Sequence, residues 1–97
     1  MLNTLENLIK LARDRKSSPV EGSHTNKLLT DKSLSKAKVL EEVNELIEAV
    51  DENSNKIHEA ADVFYHFLMY LEANNIKIED VMSELEKRKK WVTTIII

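Results

Sequence analysis

Residues 60–71 read AADVFYHFLMYL, and the placing of the apolar residues in this stretch decides the fold. On a helical wheel they occupy nearly the whole circumference rather than one stripe. A helix that is apolar all round is buried on all sides, so the segment from about 56 to 74 is predicted to be a central helix. The rest of a 97-residue chain offers limited cover for it. Pairing of two chains into a four-helix-bundle-like core would supply the missing contacts, which predicts a homodimer. Asp62 is the exception within the stretch. An unpaired charge in an apolar helix is expensive, so it calls for a partner or a metal ion.

Working outward, the same periodicity predicts further helices. Residues 3–16 form a first helix, with Leu5, Leu8, Ile9, Leu11 and Ala12 as its apolar stripe. SSPVEG (17–22) is a loop punctuated by Pro19 and Gly22, and a short helix over about 23–30 carries Leu28 and Leu29. TDKSLS is read as a second connection, with Ser33 or Ser35 as the N-cap of a third helix over about 35–52. That helix repeats Val39, Leu40, Val43, Leu46, Ile47 and Val50 at helical spacing. NSN (53–55) is a short break that makes the third and fourth helices antiparallel neighbours. A fifth helix follows over about 78–90. The expected fold class is all-α: a bundle of four to five helices, one domain over 1–90, and an apolar tail over 91–97 suited to packing or to strand-like pairing with a partner.

Composition agrees. One Gly and one Pro are too few for a sheet protein with many tight turns, and 32% charged residues suit a solvated surface. Without cysteine there is neither a disulfide framework nor a thiolate metal site. No apolar run is long enough to span a bilayer, and the N-terminus lacks the pattern of a signal peptide, so the chain is read as cytoplasmic. A formal net charge of −3 does not suggest a nucleic-acid partner. Basic residues gather at 10–16, 27–38 and 87–90 around a dense acidic stretch at 41–52, a pattern that suits either a basic rim around a cation-loaded centre or ordinary solvated faces.

Two acidic pairs carry candidate chemistry. Glu42 and Glu45 are three apart on the third helix, and Glu59 and Asp62 are three apart on the fourth. Residues at i and i+3 share a face. Counting ~1.5 Å per residue back from the turn sets Glu45 and Asp62 at similar height. Four carboxylates on facing helices can then converge, and hard oxygen ligands select Mg²⁺ or Mn²⁺. A solvated acidic face would equally explain Glu41, Glu42, Glu45 and Glu48, which lie opposite their own helix's apolar stripe; Asp62 tips the balance toward a metal. His66, one turn beyond Asp62, reads as a hydrogen-bonded interior histidine. Tyr65 and Tyr70 read as core or interface residues with their hydroxyls directed to polar partners. Arg13, Arg15, Lys27 and Lys38 can each be a surface charge. Lys38, four before Glu42 on the same face, is the best phosphate candidate.

The spacing E-x-x-E, thirteen residues, E-x-x-D resembles the metal-binding signature of the all-helical MazG-like nucleotide pyrophosphohydrolases. PVEGSHTNKLL (19–29), KVLEEVNE (38–45), EAADVFYHFLMYL (59–71) and IEDVMSELEKR (78–88) together resemble, within that group, the phosphoribosyl-ATP pyrophosphohydrolase family of histidine biosynthesis. The resemblance implies Mg²⁺-dependent cleavage between the α- and β-phosphates of phosphoribosyl-ATP, giving phosphoribosyl-AMP and pyrophosphate. It also implies Glu42, Glu45, Glu59 and Asp62 as metal ligands. Glu41 would complete the shell or orient water, so that Glu41, Glu42 and Glu45 form the catalytic set. Ser23, Thr25, Lys27 and Lys38 would contact phosphates or ribose. The family is typically dimeric, and it usually has Gly where this chain has Leu40, a departure that bears on local helix packing. Two competing readings are a house-cleaning NTP pyrophosphatase, against which EGSHTNKLL counts, and a non-catalytic helical interaction module, which leaves Asp62 unexplained.

Overall fold

The computed structural model describes residues 3–89; the apolar tail at 91–97 lies outside them. The described chain consists of five helices, α1 (Asn3–Ser17), α2 (His24–Thr30), α3 (Lys32–Glu52), α4 (Lys56–Ala73) and α5 (Ile78–Lys87), with no strand among the described residues. None of these helices is long and apolar enough to cross a membrane.

One expected boundary is wrong. Neither Ser33 nor Ser35 caps α3; Asp31 does, its carboxylate accepting from the Leu34 backbone N–H at 3.0 Å. The Asp31 N–H simultaneously donates to the Lys27 carbonyl at 2.9 Å, closing α2. A single residue therefore ends one helix and begins the next, and the expected TDKSLS connection does not exist. Asp ranks among the best N-caps because its side-chain oxygen satisfies an otherwise unpaired N–H. Ser35 is instead fully buried on α3. The α3–α4 turn runs through Asn53 and Asn55, both left-handed at φ 53°. Asparagine tolerates that conformation better than most residues, and Ser54 N–H closes the helix end onto the Ala49 carbonyl at 3.0 Å.

The core lies between α1, α2 and the C-terminal half of α4. Ile9, Ala12, Leu28, Leu29, Leu68, Met69 and Leu71 form it, with Leu5, Leu8, Leu34, Tyr65 and Ile78 packed against it. Leu11 falls off this stripe and is 38% exposed.

The apolar stripe of α3 does not face this core. Leu40, Val43, Ile47 and Val50 are all exposed, as are Ile57, Phe64 and Phe67 of α4. What α3 buries instead is Ser35, Glu42 and Ala49, spaced by seven, while its most extensive packing is with α4. The all-round burial expected of α4 is met within one chain only on the side of Leu68, Met69 and Leu71. Leu40, where the family resemblance implies Gly, is 59% exposed on α3.

Helix α5 has no fully buried residue; Ile78 packs against the core, and Arg13 ties the helix to α1 and α4. The guanidinium donates to both carboxylate oxygens of Glu79, at 2.8 and 2.7 Å, and its Nε donates to Glu72 at 2.6 Å. The hydrogen bonds from Arg13 pull the Glu79 carboxyl down to about 2 from an ordinary 4.5. A carboxyl lowered on folding stabilises fully above its unfolded value and loses that contribution as pH falls through the folded one. Hydrogen exchange in α5 should therefore accelerate, beyond the intrinsic pH effect, between about pH 4.5 and 2. Arg13→Gln should remove that step and leave α5 less protected at neutral pH. An unchanged pH profile in the variant would show that the pair does not hold α5.

Candidate metal centre and its surroundings

The face of α3 turned toward α4 carries carboxylates. Oxygens of Glu41, Glu42 and Glu45 lie within 4.8 Å of one another, and so do donor atoms of His58, Glu59 and Asp62 on α4. Glu42 is only 6% exposed. Burial raises its pKa first, and the neighbouring Glu45 and Asp62 charges raise it further, against a smaller lowering by His66. Glu59 is raised likewise, by desolvation and then by Glu45 and Asp62, with His58 opposing. Glu45 thus acts on the acids of both helices, although the donor atoms lying within 4.8 Å of one another fall into two triads, one on each helix.

Two of these oxygens are left over. Glu42 Oε2 and Glu59 Oε2 are buried and accept no hydrogen bond. Buried polar atoms without partners are uncommon in folded proteins and invite an explanation, an ion among them. Several clustered anions plus orphaned oxygens are donors of the kind a hard divalent cation takes. Asp62 is less buried than the apolar helix suggested, its side chain 37% exposed.

Lys38 sits at the edge of the cluster, its Nζ 3.2 Å from Glu41 and 3.7 Å from Glu42. The Glu41 hydrogen bond, with the Glu42 and Glu45 charges, outweighs burial and raises its pKa. Ser23 and Thr25 lie at the start of α2 and are already engaged. Ser23 Oγ caps α2 by accepting from Asn26 N–H at 3.3 Å, and it accepts from Arg15 at 3.0 Å. The Thr25 and Tyr65 hydroxyls are hydrogen-bonded to each other, giving Tyr65 the polar partner expected for it. Lys27 is exposed on α2 and, with Lys38, is close enough to His24 for its charge to be felt there.

His66 is buried, and its Nδ1 lies 2.8 Å from the Asp62 carbonyl oxygen. It pairs with that backbone oxygen, as an interior histidine, and not with the Asp62 carboxylate. The carboxylate instead has His58 Nε2 at 3.4 Å. Sequence reasoning missed three residues here. His58 precedes Asp62 by four, a spacing that could have revealed it. His24 stood inside the EGSHTNKLL motif without a role. Arg15, read as a possible surface charge, reaches Ser23. Burial, together with His66, Lys38 and Lys27, lowers the pKa of His24.

The fold and this geometry can be set beside known proteins. A family model described as phosphoribosyl-ATP pyrophosphohydrolase matches residues 5–89. The phosphoribosyl-ATP pyrophosphatase of Clostridium acetobutylicum is 43% identical over 92 residues, covering 91% of this chain and 83% of that protein. The Listeria monocytogenes protein of the same name is 43% identical over 97 residues, with 97% and 90% covered. A histidine biosynthesis bifunctional protein of Arabidopsis thaliana, chloroplastic, is 38% identical over 92 residues, 90% of this chain but 33% of that longer protein. No solved structure matches the chain. With the match running from α1 to the end of α5 and including both carboxylate pairs, the chain belongs to the phosphoribosyl-ATP pyrophosphohydrolase family.

Proposed function

We propose that the protein hydrolyses phosphoribosyl-ATP to phosphoribosyl-AMP and pyrophosphate in histidine biosynthesis, using Mg²⁺, or alternatively Mn²⁺, held by Glu42, Glu45, Glu59 and Asp62. The observation that carries this reading is the pair of orphaned oxygens on Glu42 and Glu59 inside the acidic cluster. A bound divalent ion neutralises charge on phosphate oxygens and lowers the pKa of water near it. The chain's own residues supply the rest. Glu41 lies beside the cluster with its side chain 52% exposed, where it can accept a proton from an attacking water. Glu42 and Glu45, as neighbouring carboxylates, set the potential that this water meets. Lys38 brings a fixed positive charge to the rim, and Lys27 adds a second on α2. Ser23 and Thr25, at the start of α2, would add hydroxyls to the phosphates or ribose. A homodimer, with the exposed apolar faces of α3 and α4 as its interface, completes the reading.

Purified protein with Mg²⁺ should release pyrophosphate from phosphoribosyl-ATP and leave the four ordinary NTPs essentially untouched. Release from the NTPs but not from phosphoribosyl-ATP would assign the site to a general NTP pyrophosphatase.

A further inference from the structure

Beside the lysines of the rim, and joined to α4 through His66, stands His24, to which the proposed hydrolysis assigns nothing. It is the first residue of α2 and is exposed. Lys27 and Lys38 are near enough for their charges to act on it. Its Nε2 lies 3.5 Å from His66 Nε2, a long hydrogen bond, and His66 in turn acts on Glu42. We propose that His24 is a specificity-determining residue whose Nδ1 accepts a hydrogen bond from a donor group of the nucleotide, a ribose hydroxyl or an exocyclic amine. The proposal deepens the reading above and rests on it for the identity of the nucleotide.

A chain of hydrogen bonds fixes which nitrogen is bare. The Asp62 carbonyl oxygen, 2.8 Å from His66 Nδ1, can only accept, so Nδ1 carries the hydrogen. His66 Nε2 then keeps its lone pair. His24 Nε2 must donate to it, and His24 Nδ1 is left as an acceptor. Both rings are restrained in this arrangement. Tyr65 meets His66 edge-on with centroids 4.9 Å apart and lies roughly parallel to His24 at 6.4 Å. The Tyr65 hydroxyl is tied to Thr25, next to His24. Burial first, then His66, Lys38 and Lys27, disfavour a second proton on His24.

An acceptor in this position discriminates. Ionised phosphate oxygens only accept, so a bare nitrogen offers them nothing and the lysines take them instead. A hydroxyl or an amine can donate. A site built to hydrogen-bond such a group rejects the analogue that lacks it.

The first test reads the tautomers directly. Long-range ¹H–¹⁵N spectra at neutral pH should show His66 protonated on Nδ1 alone and His24 on Nε2 alone. A His24 ring protonated on Nδ1, or on both nitrogens, would overturn the proposal whatever nucleotide the site takes. The second test is kinetic. His24→Gln keeps an amide nitrogen to donate to His66 but offers no acceptor where Nδ1 stood. It should raise KM for phosphoribosyl-ATP about tenfold, the worth of one hydrogen bond, with kcat little changed. His24→Asn, whose Oδ1 can stand in for Nδ1, should recover most of that loss. An unchanged KM in His24→Gln would overturn the proposal. Absence of turnover in the wild type would instead count against the function proposed above, and leave the spectra and nucleotide binding to decide on His24. Binding of AMP, 2′-deoxy-AMP, 3′-deoxy-AMP and purine riboside monophosphate identifies the donor. The analogue lacking it should bind the wild type about tenfold more weakly than AMP, and His24→Gln no more weakly than AMP. Equal binding of all four by the wild type, binding of none, or a loss that persists in His24→Gln would overturn the assignment.

Discussion

Glu42→Gln is expected to reduce Mg²⁺-dependent turnover by about 100- to 1,000-fold while making the metal-free protein more stable. The two effects share one cause. Glu42 is buried, has an oxygen without a partner, and is pushed toward its neutral form by desolvation and by Glu45 and Asp62. A carboxyl whose folded pKa is raised stabilises the fold when protonated. That contribution is lost as pH rises from its unfolded value through its folded one, so at neutral pH the ionised group opposes folding. An amide has nearly the same shape and no charge, so in chelator the variant escapes that opposition. Relief of about 1 kcal/mol would appear as a rise of about 4–8 °C for a domain of this size. Mg²⁺ should reverse the order, because the wild type gains stability from an ion that binds only the folded state and the variant has lost a ligand. The activity figure follows from the several kcal/mol that a bound metal supplies by stabilising charge in the transition state, at about 1.4 kcal/mol per factor of ten. Asp62→Asn should change turnover in the same direction, with a smaller gain in chelator because Asp62 is partly exposed. A Glu42→Gln protein that melts lower in chelator yet turns over normally would remove Glu42 from the metal site and make it a structural acid.

The parts of this picture legible in the sequence were those written in local spacing. Helical periodicity located all five helices, and the i, i+3 spacing of Glu42 with Glu45 and of Glu59 with Asp62 puts each pair on one face. The NSN turn was readable too, since a short connection leaves antiparallel packing as the simple arrangement. Boundaries were less legible where two residues competed for one role. Asp31, Ser33 and Ser35 can all cap a helix, and only the geometry at Leu34 N–H decides among them. Orientation was not legible at all. The wheel separates the apolar face of α3 from its acidic face, yet it cannot say which of them meets α4; in the structure it is Glu42 with Ser35 and Ala49. Contacts such as His24 with His66 or Thr25 with Tyr65 join residues about forty apart, and no local pattern encodes them. Asp62 was singled out by the apolar composition of its helix, yet its own side chain is 37% exposed and faces His58.

Phe64→Glu is expected to convert a dimer into a monomer while sparing the carboxylates of its own chain. On α3 the exposed residues Leu40, Val43, Ile47 and Val50 are separated by three, four and three; on α4, Ile57, Phe64 and Phe67 are separated by seven and three. Both are heptad-like seams of the kind that two helices bury against each other. A hairpin that presents two such seams side by side can meet a second copy of itself and form a four-helix core. Isolated exposed apolar residues are ordinary, but seven large ones on two neighbouring helices exceed what a monomer usually leaves in water. Fully burying one Phe contributes about 1.5–3 kcal/mol, and a two-fold dimer would contain two copies of Phe64. Losing both should raise the dissociation constant by at least about 100-fold, and the introduced charges should raise it further. Phe64 lies about 200° around the helix from Asp62 at 3.6 residues per turn, so the variant should still bind Mg²⁺. Sedimentation at tens of micromolar should give the wild type about twice its chain mass of 11.2 kDa and the variant a single chain. The melting temperature of the wild type should rise with protein concentration, and that of the variant should not. A wild type that sediments as one compact chain at these concentrations would end the dimer reading and leave the exposed seams of α3 and α4 to a different partner.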